Sequence, residues 1–147
     1  MIPKQFISLL LLTGMLVFSL FACRHDDPIP NTIDPAMVNT TITSGTWRVT
    51  LYNDGGQDET VNFAGYAFSF LSGNVVTAVK GGQMVTGTWS TQPDASHTKL
   101  ILNFMTPADF VDISDDWHVI ERTDTKIRLE DVSGGNGGTD YLTFEKN

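Results

Sequence analysis

From Gly45 onward, apolar residues recur at every second position in short runs, the period of a half-buried β-strand. Trp47, Val49 and Leu51 alternate with Arg48, Thr50 and Tyr52, and Tyr66, Phe68 and Phe70 alternate with Ala67 and Ser69. Runs at 75–79 and 84–90 follow, parted by Lys80-Gly81-Gly82-Gln83. Leu100, Leu102 and Phe104 mark a fifth run, Trp117 and Val119 a sixth, and Ile127 and Leu129 a seventh. Tyr141-Leu142-Thr143-Phe144 forms the eighth. Most runs are joined by hairpin-length turns, which predicts an all-β domain. Eight antiparallel strands in sequence order fit an up-and-down barrel, because closure removes the edges an open meander would expose.

Two connections are longer. Residues 53–64 carry Gly55-Gly56 and several acids and read as a mobile flap. Residues 105–116 hold Pro107, Phe110 and Ile113 and predict a helical turn. Upstream of the barrel, Asp34-Pro35 is a helix start, with Asp34 as N-cap and proline at the first helical position. The β-branched stretch Thr40-Thr41-Ile42-Thr43 ends it early, so a short N-terminal helix or turn should lie against one end of the barrel.

The first 22 residues follow different rules. Lys4 supplies a positive start, and residues 6–21 are almost all Leu, Phe, Ile, Val and Met. That stretch is short for a membrane-spanning helix and suits the apolar region of a secretion signal. Cys23 is the only cysteine, so no intramolecular disulfide can form and the thiol needs another explanation. Leu20-Phe21-Ala22-Cys23 resembles the lipobox of bacterial lipoproteins. The resemblance implies cleavage before Cys23 and attachment of palmitate-type acyl chains, which anchor stably when several share one residue. Arg24-His25-Asp26-Asp27 resembles the acidic surface-export signal that follows the lipidated cysteine in one group of Gram-negative bacteria. It implies the outer membrane and the cell surface; the plainer reading is a solvated start to a tether. Pro28, Pro30 and Pro35 favour extended chain at ~3 Å per residue, a semi-rigid spacer. The expected division is a leader over 1–22, lipidated cysteine and flexible tether over 23–42, and a barrel over 43–147.

Losing the leader removes Lys4 and leaves eight basic residues against 17 acidic ones, a net charge of −9. Such a surface repels phosphates, which argues against nucleic acid as a partner. His25, His97 and His118 are scattered, without the spacing of a His or Cys metal site, and no cofactor is implied. Ser114 could reach His97 or His118 only through folding, and no nucleophile elbow supports hydrolysis, so the chain does not read as an enzyme. Asp109, Asp112, Asp115 and Asp116 are spaced so that a helical turn could cluster them, as calcium would require, or they line a solvated face. The glycine-rich stretch 134–138 reads as a hairpin loop.

Gly45-Thr46-Trp47 at the first strand matches the Gly-x-Trp arrangement of lipocalins, and Gly87-Thr88-Trp89 repeats it. With eight strand-like runs and the lipobox, the chain resembles the small bacterial lipocalin-like lipoproteins over 42–147. The resemblance implies that Trp47 closes one end of the barrel under an arginine, for which Arg122 and Arg128 are the candidates. It also implies a small apolar or amphipathic ligand in the interior, lined by Trp47, Phe68, Phe70, Trp89, Leu102, Phe104 and Trp117. An eight-stranded barrel is just wide enough either to be filled by side chains or to hold one small ligand. The alternative is therefore a filled barrel that serves as a surface protein-interaction module. Ring content inside the barrel separates the two.

Overall fold

The period-two runs become strands that close on themselves. The structure, a computed structural model, describes residues 33–132 and 138–147. The leader, Cys23, Arg24-His25-Asp26-Asp27 and most of the glycine-rich loop lie outside the described residues. The strands are β1 (Trp47–Asp54), β2 (Gln57–Asp58), β3 (Ala67–Leu71), β4 (Val75–Lys80), β5 (Gln83–Asp94), β6 (His97–Asn103), β7 (Asp116–Arg122), β8 (Lys126–Val132) and β9 (Thr139–Lys146). From β3 to β9 each strand pairs antiparallel with the next. β9 then pairs with β1, from Trp47↔Lys146 to Asn53↔Tyr141. β1 meets β3 at Trp47↔Phe68, which closes an eight-strand up-and-down barrel with β2 as a two-residue extra.

The connection read as a flap is ordered instead. Along its free side β1 bonds to this segment: Glu59 N–H donates to Tyr52 O at 2.9 Å, and Tyr52 N–H donates to Thr60 Oγ1 at 2.8 Å. A 3-10 turn (Thr60–Phe63) follows and delivers Phe63, 1% exposed, into the core. The segment satisfies backbone groups that β3 does not reach, so its polar composition hides a structural role.

Strand β1 departs from strict alternation. A register shift between Val49 and Leu51, against β9, moves Tyr52 to the interior and leaves Leu51 half-buried. A bulge inserts one extra residue and so reverses the phase of everything after it. Tyr52 OH then donates to Asp112 O at 3.0 Å.

Helix α1 (Pro35–Ile42) forms as its sequence predicts: the Asp34 carboxylate accepts from Ala36 N–H at 2.8 Å, and Pro35 opens the first turn. Its buried residues are Val38, Thr41 and Ile42, with Val38 and Ile42 in the barrel's apolar core. Trp47 Nε1 donates to Ile42 O at 2.8 Å, Arg122 donates to Thr41 Oγ1 at 2.5 Å, and Thr98 Oγ1 donates to Ile33 O. The packed unit thus reaches back to Ile33, into the stretch assigned to the tether. Helix α2 (Ala108–Asp112) is the expected helical turn and buries Phe110. Among the described residues no helix is long and apolar enough to cross a membrane.

Candidate functional site: the barrel interior and its outer faces

All seven residues proposed to line a ligand chamber point inward, and none is more than 7% exposed. They are packed against rings rather than around space. Phe110, carried in by α2, has its ring centre 5.4 Å from Phe63, 5.0 Å from Tyr66, 5.8 Å from Phe68 and 5.1 Å from Phe104. Phe144 stands edge-on to both Phe68 and Phe70, at 5.3 and 5.6 Å. Phe70 meets Trp89 edge-on at 5.6 Å. Edge-to-face pairs at these separations are favourable beyond the area they bury.

The polar atoms among these rings are committed too. Trp47, Trp89 and Trp117 donate their indole N–H groups to Ile42 O, Leu71 O and Ile113 O at 2.8, 3.1 and 3.0 Å. Ser114 Oγ accepts from Phe104 N–H at 2.8 Å and donates to Phe110 O, also at 2.8 Å, pinning α2 over the barrel. The serine weighed as a nucleophile is thus a structural clasp. Among the described residues no buried side-chain nitrogen or oxygen lacks a partner. A recognition site for a polar headgroup usually shows the opposite, a convergent set of groups waiting for one.

The cation over Trp47 is neither arginine considered. Lys146 Nζ lies 5.5 Å from the Trp47 ring centre. Arg122 is held by α1, and Arg128 pairs with Glu121 at 3.1 Å. The lysine sits on β9, whose register against β1 sets Lys146 opposite Trp47, a pairing no local pattern announces.

The acid quartet is not brought together as the helical spacing implied. Asp115 and Asp116 meet Asp131 instead, with carboxylate oxygens within 4.8 Å of one another, and Asp109 and Asp112 stand apart on α2. Lys99 already serves this patch: its Nζ lies 2.6 Å from Asp116 and 3.3 Å from Asp94. The Lys99 ammonium bonded to Asp116 holds that carboxyl below its ordinary value, and burial raises its neighbour Asp115. Two histidines read as scattered do meet: His97 and His118 stack at 4.9 Å, with His118 Nε2 3.3 Å from Asp94. The hydrogen bond to His118, with Lys99 beside it, lowers Asp94.

Charge divides the outside of the barrel in two. On β1 and β5–β9 ion pairs join Arg48 to Glu145, Lys126 to Glu145, Arg128 to Glu121, and Lys99 to Asp94 and Asp116. Across β3, β4 and most of β5 the residues in outward phase are uncharged, and Lys80, exposed at the end of β4, lies over the Tyr66 ring at 5.2 Å. The register aligns the outward residues in three cross-strand rows: Ala67, Val79 and Met84; Ser69, Thr77 and Thr86; Leu71, Val75 and Thr88. Ser90, Ile101 and Asn103 continue the face onto β6. Met84 is 65% exposed and Met105, just past β6, 90%. A shallow hollow of about 280 Å³ opens here, lined by Val75, Thr86, Thr88, Asn103 and Met105. A second of about 340 Å³ lies between α1 and the β3–β4 turn.

No protein-family model and no curated protein matches the chain. Among solved structures it is similar to a DUF4847 family protein from Bacteroides vulgatus, at 17% identity and a TM-score of 0.51. The match covers 75% of this chain and 97% of that one. At this identity the likeness shows the fold alone: both chains build this class of small β-barrel.

Proposed function

We propose that the protein is a lipid-anchored, non-enzymatic interaction module of the cell envelope, with a solid barrel that offers its outer surface to another protein. The filling of the interior by Phe63, Phe110 and Phe144 is the observation that supports it. A barrel whose rings already contact one another gains nothing from an apolar ligand unless those rings part. The anchor and the site of action rest on the sequence: Leu20-Phe21-Ala22-Cys23 for lipidation, and Arg24-His25-Asp26-Asp27 for the outward face of the outer membrane.

The rival is an apolar or amphipathic ligand held among Trp47, Phe68, Phe70, Trp89, Leu102, Phe104 and Trp117. The three tryptophans report on it directly. Titration with a panel of fatty acids and other apolar molecules should leave their fluorescence unchanged. Saturable quenching at micromolar concentration, or a ligand mass retained on protein from its own host, would replace the module with a carrier. Surface placement is tested by protease shaving of intact cells. The wild-type chain should be digested and the Asp26→Ala, Asp27→Ala chain protected; equal digestion would reduce these acids to tether.

A further inference from the structure

We infer that the end of the barrel covered by α1 docks on anionic lipid headgroups, so that the anchored domain stands on its membrane with that end down. This rests on the lipid anchor of the reading above and adds an orientation to it. The charges of the barrel are segregated along its axis. At the α1 end, from the close of β7 round to the start of β1, Arg48, Arg122, Lys126, Arg128 and Lys146 stand against Glu121, Asp124 and Glu145. Helix α1 carries no charge after its cap, Asp34. At the far end Asp54, Asp58 and Glu59 before β3, with Asp109, Asp112 and Asp115 around α2, outnumber Lys80. Tilted strands of seven or eight residues part the two ends by roughly 20 Å, more than twice the ~8 Å over which charge acts at physiological salt. A phosphate at the α1 end therefore meets the cations there and little of the chain's net charge of −8.

The same end has a place for a headgroup. A hollow of about 310 Å³ is lined by Ala36, Met37, Thr40 and Arg122. The Arg122 side chain is only 21% exposed, donates to Thr41 Oγ1, and has the Asp124 carboxylate 4.0 Å away on a side chain 98% exposed. A guanidinium carries five donors in a fork that suits phosphate, which leaves donors here for a headgroup oxygen. Met37 and Ala36, both exposed, add an apolar floor beside it. Cation and apolar floor together match the boundary where phosphate gives way to acyl chain. The course of the chain leads to this end too. Ile33, whose carbonyl accepts from Thr98 Oγ1, lies beside α1, and Cys23 is ten residues earlier, at most ~36 Å away when fully extended. A negative membrane surface attracts the cations and repels the acids, so the field that draws one end down turns the other outward.

The test uses the full, lipidated chain reconstituted in vesicles. With Cys23 acylated, an introduced cysteine is the one free thiol. A fluorophore at Asn39→Cys, exposed on α1, should be quenched by nitroxide borne on lipid headgroups when the vesicles hold phosphatidylglycerol and phosphatidylcholine in equal parts. The same fluorophore at Val111→Cys, on α2 at the far end, should not. Quenching at position 39 should be lost in phosphatidylcholine alone, in molar salt, and in the Arg122→Gln, Lys126→Gln chain. The change of lipid tests the native barrel even if Arg122→Gln unfolds it. Equal quenching at the two positions, or none at position 39, would mean that the domain has no such orientation. Quenching that survives in phosphatidylcholine would mean that charge does not recruit this end. Each of these results overturns the inference with the anchor intact. A wild-type chain that takes up the fluorophore has a free Cys23, which removes the anchor and the inference with it.

Discussion

The ring of Phe104 occupies the space in which a side chain at Gly87 would stand. A Cβ at position 87 would lie 2.5 Å from Phe104 Cδ1 and equally close to the backbone oxygen of Asn103. The two Gly-Thr-Trp copies therefore need glycine for different reasons. Gly45 adopts φ +91°, a left-handed conformation that bends the chain into β1 beneath α1. Gly87 lets β5 and β6 carry an aromatic ring between them. Gly87→Ala should cost about 1–3 kcal/mol, the range for overpacking, since the Asn103 carbonyl belongs to the β5–β6 ladder and cannot turn aside. Chemical denaturation measures the loss; an alanine variant as stable as the wild type would show that the strands part freely.

Phe110→Ala should cost about 3–5 kcal/mol, because the ring is 1% exposed and touches four other rings. The void it leaves is lined by aromatic carbon and should stay dry. Benzene should therefore bind Phe110→Ala and raise its melting temperature while leaving the wild type unmoved. Equal stabilisation of both would mean that the natural barrel already has room.

The patch around Lys99 makes stability depend on pH in a defined direction. Asp116 and Asp94 are lowered from 3.8, so the stability they contribute is present above that value and lost as pH falls through their folded values. Asp115 is raised, so it acts oppositely, favouring the fold at low pH and losing that effect as pH rises through its folded value. Lys99→Met should lower the melting temperature at pH 7, with the difference vanishing well below pH 3.8. Asp115→Asn should raise it at pH 7 and keep the acceptor for Asp116 N–H, now at 2.7 Å. A constant difference at every pH would assign the Lys99→Met effect to lost packing.

Cys23→Ala should abolish fatty-acid labelling and leave an uncleaved or soluble chain, since it is the only thiol and follows Leu20-Phe21-Ala22 directly. Metabolic labelling with a fatty acid, read on the isolated protein, checks this. Label persisting on the alanine variant would remove the anchor.

The eight strands, the Asp34 cap and the helical turn around Phe110 were legible because each is a local matter of spacing or of one residue's conformational preference. What the sequence withheld depends on register between distant strands. Alternation placed Leu51 inside and Tyr52 outside, and only the pairing of β1 with β9 introduces the bulge that exchanges them. Lys146 reaches Trp47, and Asp131 reaches Asp115 and Asp116, by the same route. His97 and His118 looked isolated because 20 residues separate them, yet β6 and β7 align Lys99 with His118 and bring His97 alongside. The seven inward residues were named from phase alone. That their rings fill the barrel follows from Phe63 and Phe110, which arrive from the two connections whose period is not two.

Closure through β9 also governs when the protein can fold. β1 touches β3 at a single register pair and takes most of its ladder from 139–146, almost a hundred residues later. Contacts of such separation come late, because the loop must be closed before they repay its entropy. A nascent chain has no partner for most of the Trp47 strand until its C-terminal segment emerges, and Lys146 cannot cover Trp47 before then. A barrel that must wait for its last strand stays threadable while it is being made.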